Sequence, residues 1–119
     1  MVGVPNGRGA AFAIGEGRLD EIALWLTTNI GPRLVAYAAD TTRSDLARAA
    51  QGLEVDDQLD RRLRCLYAVV TYVASDDGAG TAHDFLVRPN PDLDGRAPAE
   101  LLHDGAPPER VWMAAVPAF

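Results

Sequence analysis

Lysine is absent from the 119 residues, so all eleven basic side chains are arginine; cysteine occurs once, and aromatic residues make up only 7%. A lone Cys65 excludes an internal disulfide framework. A reducing cytoplasm is therefore the expected setting. Although 48% of the residues are hydrophobic, no window approaches the run of about eighteen that a membrane span needs. Met1-Val2-Gly3-Val4-Pro5 has no basic stretch followed by an apolar one, so no secretory signal is expected. Basic charge in excess is missing too. Residues 1–52 hold five Arg against five acids and residues 53–119 hold six Arg against twelve, which places the whole net charge of −6 in the second half. Nucleic-acid binders usually carry a basic surface that displaces counterions. Any DNA contact is therefore expected from the neutral first half, presented by a dimer.

Residues 1–17 contain five glycines and no helical period, which predicts a flexible arm. Gly7-Arg8-Gly9 has neither the preceding strand nor the following Gly-Lys-Ser/Thr of a phosphate loop. From Leu19 the apolar residues Leu19, Ile22, Ala23, Leu26 and Ile30 recur at helical spacing until Gly31-Pro32. Pro32 suits the first turn of a second helix ending near Asp40. Thr41 or Thr42 suits the cap of a third that stops at Gly52. Two short helices and a tight turn make a helix-turn-helix skeleton.

Leu59, Leu63, Leu66, Val70 and Val73 then lay one apolar stripe along a long fourth helix over 55–74. Asp57–Arg61 and Asp60–Arg64 are spaced as acid-before-base pairs, each contributing roughly 0.2–0.5 kcal/mol. Ser75-Asp76-Asp77-Gly78 is expected to break this helix. Short helices follow over 81–87, Pro98 to His103 and from Pro107-Pro108 onward, with Leu93 as the apolar anchor of an intervening turn. No alternating strand pattern exceeds four residues, so the expected fold is all-α. It is a single folding unit, with a helix-turn-helix-like region over 18–76 and a carboxy-terminal module over 77–119.

Chemistry-bearing constellations are sparse. His83-Asp84 and His103-Asp104 include metal-ligand types, but the gap between them fits no metal motif and both pairs read as surface polar residues. Ser44 and Ser75 fall at a cap and a turn, Cys65 lies on the spine helix as an inert thiol, and Asp56 and Asp57 suit capping. No catalytic residue, metal or cofactor is expected, and the chain is not expected to be an enzyme. Arg43, Ser44, Arg48 and Gln51 lie where a recognition helix presents base contacts, with Arg33 and Thr42 near enough for phosphate. Val111-Trp112-Met113 and Ala114 to Phe119 are apolar, which suits insertion into a partner's cleft with aromatic anchors.

The stretch Phe85-Leu86-Val87-Arg88-Pro89-Asn90-Pro91-Asp92-Leu93-Asp94-Gly95-Arg96-Ala97-Pro98-Ala99-Glu100-Leu101-Leu102-His103-Asp104-Gly105 resembles the toxin-binding domain of Xre/MbcA/ParS-type antitoxins. The shared elements are the Pro-Asn-Pro turn, the Leu two residues on, the Gly-Arg-x-Pro opening, the Leu-Leu pair and the Asp-Gly stop. Gly31 to Tyr37 and Arg61-Arg62-Leu63-Arg64 are similar to the family's degenerate helix-turn-helix and its following helix. Phe85, Ala97 and Ala49 depart from the family, which often has Trp, Thr or Ser, and an aromatic there. The resemblance implies a type II antitoxin that covers the active site of a RES-domain, NAD-consuming toxin and in many cases represses its own operon. It assigns toxin contact to Arg88, Asn90, Arg96, Arg110, Trp112, Met113, Val116 and Phe119. The implied partners are that toxin, operator DNA and a second copy, as a homodimer within a larger complex, with no membrane. The competing reading is a helix-turn-helix DNA-binding regulator without a toxin.

Overall fold

A computed structural model describes residues 15–115. Among them the chain forms α1 (Leu19–Asn29), α2 (Pro32–Ala38), α3 (Arg43–Ala50), α4 (Asp57–Asp77), α5 (Ala79–Val87), a 3-10 turn (Pro91–Leu93), α6 (Pro98–His103) and α7 (Pro108–Ala115). No strand occurs among the described residues, which bears out the all-α expectation.

Local chemistry explains the boundaries. Gly31, at φ +112°, turns the chain so that Pro32 opens α2. The Thr42 hydroxyl accepts the Asp45 N–H at 3.0 Å and caps α3, and the Asp56 carboxylate accepts the Leu59 N–H at 2.7 Å and caps α4. The expected break at Ser75 does not occur there. The Ser75 hydroxyl donates to the Tyr72 carbonyl within the helix at 2.7 Å. The helix therefore runs on to Asp77, and Gly78 at φ +91° makes the turn into α5. Of the two expected charge pairs on α4, Asp60–Arg64 closes. Asp57 and Arg61 form no ion pair among the described residues.

The α4 stripe organises the core. Leu59, Leu63, Leu66, Val69 and Val70 are buried, and α1, α5 and α7 all pack on this helix. Ile22, Ala23 and Leu26 arrive from α1, Ala82 and Leu86 from α5, and Val111 and Trp112 from α7. Helix α2 sends in Val35, Ala36 and Ala38 and packs in turn against α3 and α6. One hydrophobic cluster thus runs through both the 18–76 and the 77–119 regions. No polar side chain is buried among the described residues.

Residues 1–14 of the expected arm lie outside the described residues. Its last three are held: the Gly15 N–H donates to the Arg64 carbonyl at 3.1 Å, and the Arg64 guanidinium returns bonds to the carbonyls of Gly15 and Gly17. A Cβ on Gly15 would stand 2.8 Å from the Tyr67 ring, so only glycine lets the chain pass this close to α4.

Truncating a fully enclosed spine residue should be far costlier than truncating an exposed one. We expect Leu63→Ala to lower the unfolding free energy by about 2–5 kcal/mol, and Met113→Ala, at an exposed position, to change it by less than about 0.5 kcal/mol. Urea denaturation followed by circular dichroism measures both.

Candidate partner-binding surface

The carboxy-terminal module is built around a tight turn. Asn90 directs it: its side-chain oxygen accepts the Asp92 N–H at 2.8 Å, and its carbonyl accepts the N–H groups of Leu93 and Gly95. The Asn90 N–H reaches across to the Arg96 carbonyl at 3.1 Å, closing the loop as a single antiparallel bridge. Asp94 takes the left-handed conformation at φ +58°, which a short polar side chain tolerates, and Leu93 is driven into the core. The turn is therefore a rigid knuckle, fixed by its own hydrogen bonds and by one buried leucine.

Two arginines fasten this knuckle to the helices that follow. Arg96 pairs with Asp104 and, at 3.4 Å, with Glu100 on α6; Arg110 on α7 pairs with Asp94 at 3.1 Å. The hydrogen bond from Arg96 is the main influence that holds the Asp104 carboxyl below the usual carboxylate range. Ala97 caps α6 with no side-chain bond, as expected from the missing hydroxyl.

The module is joined to α2 by a stacked pair. The Tyr37 and His103 rings lie 4.2 Å apart and 4° from parallel, and His103 Nδ1 sits 2.8 Å from the Tyr37 carbonyl and 3.7 Å from Asp40. Arg62 of α4 adds a bond to the Leu102 carbonyl at 3.4 Å. Cys65 borders a cavity of about 220 Å³ at this junction, and burial pushes its thiol pKa up, which suits an inert thiol.

The residues assigned to toxin contact therefore separate into two groups. Asn90, Arg96 and Arg110 are engaged within the module, and Trp112 is 8% exposed, its ring packed near Tyr72 at 6.0 Å between centroids. These four hold the module together, and the ion pairs and burial that engage them are tertiary and leave no mark in residue spacing; Arg96 and Arg110 keep 40% and 48% of their side-chain surface exposed. Arg88 and Met113 face outward, Met113 with 62% of its surface exposed, while its neighbours Val111 and Trp112 are buried. Val116 and Phe119 lie outside the described residues.

The six DNA candidates also divide. Thr42 is spent as the α3 cap, and Arg48 donates to the Glu54 carbonyl at 3.0 Å. Arg33, Arg43, Ser44 and Gln51 are exposed. Arg33 and Arg43, with His83, rim a groove of about 590 Å³ whose floor includes Leu34, Tyr37 and Val87. The exposed apolar residues Leu24, Tyr37, Leu53 and Val87 escaped the sequence reading. Leu24 carried a signal, because it falls off the inward stripe of the first helix.

With a capped spine helix, α1, α5 and α7 packed against it and a knuckle-and-helix module, this chain is a small all-α protein of MbcA-like antitoxin fold. Its particular likeness is to one chain of the M. tuberculosis MbcT–MbcA toxin–antitoxin complex, at 25% identity and a TM-score of 0.68, covering 84% of this chain and 92% of that one. This bears out the resemblance carried by residues 85–105. No protein-family model matches the chain, and no curated protein sequence does.

The Arg96–Asp104 contact predicts a pH dependence of definite sign. The Asp104 pKa is lower in the folded chain than in the unfolded one, where it is about 3.9. Its contribution to stability is therefore complete above that value and is lost as pH falls through the folded pKa. A carboxyl-detected NMR titration should place the Asp104 midpoint below about 3.9, and Arg96→Gln should raise it toward that value. An unmoved midpoint would remove Arg96 as the cause.

Proposed function

We propose that the chain is the antitoxin of a type II toxin–antitoxin pair, and that it neutralises a RES-type, NAD-consuming toxin by covering the toxin's active site. The observation that carries this reading is α7. It is anchored by buried Val111 and Trp112, and it holds Met113, a flexible and polarisable side chain, 62% exposed. A large apolar side chain held outward on a firmly docked helix is what a partner's apolar cleft would take. The fold shared with a chain of a toxin–antitoxin complex supports the same reading.

In this proposal inhibition is steric and the chain contributes no bond-making step and no cofactor. Met113 enters the cleft, and Arg88, exposed beyond the end of α5, offers a planar guanidinium to toxin carboxylates. Asn90, Arg96, Arg110 and Trp112 act at one remove by keeping the knuckle and α7 rigid, which lowers the ordering cost of binding. Val116 and Phe119 are assigned to the same contact on their apolar character. The chain works as a homodimer within the larger complex.

The test is NAD consumption by the toxin titrated with antitoxin. Met113→Asp, Arg88→Glu and a chain ending at Ala115 should each weaken inhibition by about tenfold or more, the loss of a single strong contact. Circular dichroism should show unchanged helix content in all three. Inhibition equal to wild type by every variant would overturn the proposal.

A further inference from the structure

We infer that the cavity between α4 and the α6–α7 turn is a binding site for a small carboxylate with an apolar body. Four helices meet there: Ala38 of α2, Leu66 of α4, Leu102 of α6 and Pro108 of α7 each give apolar surface to a space of about 220 Å³. Small-molecule sites between the helices of a bundle commonly have this form, an apolar interior with a few polar groups that fix orientation. The volume sets the size of the occupant. An apolar cavity of about 150 Å³ holds benzene, so this one takes a ring of that size with one small substituent. Neither Met113 nor Arg88, the contacts proposed for the toxin, lines it, and the site is separate from them.

The polar side of the cavity selects charge. Gln58, Arg61 and Arg62 line it, and no carboxylate does. Arg61 is the decisive group. Asp57 stands four residues earlier, the spacing at which an acid commonly closes on an arginine, yet Arg61 has no ion-pair partner among the described residues, and its exposed side chain borders the cavity instead. Cys65, which is 4% exposed, reports the field at the inner wall: of the two charges that act on its thiol, Arg61 outweighs Glu109. A guanidinium at the rim of an apolar space offers a carboxylate two parallel hydrogen bonds. The amide of Gln58, also exposed at the rim, adds a further donor.

Arg62 has a different part. It donates to the Leu102 carbonyl at 3.4 Å, and a Cβ on Gly105 would stand 3.6 Å from its Nη2, so this side chain spans from α4 to the α6–α7 turn. It also borders a second cavity lined by Asp40, Asp45 and Asp56, and its charge is shared with those acids. Arg62 therefore holds the wall while Arg61 holds the ligand. A molecule seated here touches α2, α4, α6 and α7 at once, so its binding braces the carboxy-terminal module against the spine and stabilises the folded chain.

Titration of the full chain with benzoate, followed by amide NMR, tests the assignment. Saturable shifts should centre on Gln58, Arg61, Cys65, Leu102 and Gly105, with a dissociation constant of about 1 mM or tighter. Two further probes separate the parts of the site. Benzamide has the same shape without the charge, and acetate has the charge without the ring; each should bind at least about tenfold more weakly. Arg61→Gln, at an exposed position, should weaken benzoate about tenfold and leave benzamide within about twofold, a selective loss that misfolding cannot produce. Absence of saturable shifts at the cavity residues overturns the site. Benzamide binding as tightly as benzoate, or Arg61→Gln leaving benzoate unchanged, overturns the carboxylate assignment.

Discussion

Burial of one side of α4 is the interaction on which the other elements depend, because none of them is long enough to stand alone. Isolated helices below about a dozen residues are marginal in water, and every helix here except α4 is that short. Leu59, Leu63, Leu66, Val69 and Val70 supply the apolar strip against which α1, α5 and α7 become stable. Each large side chain fully enclosed there contributes roughly 1.5–3 kcal/mol. Helices α2, α3 and α6 are then held by their packing on those first neighbours.

This hierarchy explains the division of labour in the carboxy-terminal module. Its polar residues are largely consumed in holding shape: Asn90 closes the knuckle, Arg96 and Arg110 strap it to α6 and α7, and His103 stacks on Tyr37 to join it to α2. Exposed ion pairs of this kind contribute little one by one, but together they restrict how the turn and α7 sit on the spine. A rigid module loses less freedom when a partner binds. Exposed side chains, among them Met113 on α7, Arg88 after α5 and Leu24 on α1, are placed for contacts outside the chain.

Much of the architecture was legible in the residues because it rests on local rules. Periodicity placed the spine, prolines opened α2, α6 and α7, Thr42 and an aspartate marked caps, and Gly31 and Gly78 marked turns. The error at Ser75 has a physical origin: a serine can satisfy its hydroxyl on the preceding turn and remain helical, so polarity alone does not end a helix. The site was less legible. An arginine in a loop reads the same whether it will face a partner or close on Asp104, and the seven residues between Arg96 and Asp104 carry no pattern that announces the pair.

By itself the amino-acid sequence determined the helical class, the order of elements, the acidic second half and the Pro-Asn-Pro knuckle, since each follows from short-range spacing, backbone restriction or summed charge. Only the tertiary structure decided that Trp112 turns inward while Met113 turns outward, that Arg96 and Arg110 are fastenings, and that Leu24 opens onto a groove. Those outcomes depend on which distant side chains arrive first at a shared volume, and packing settles that where proximity along the chain does not.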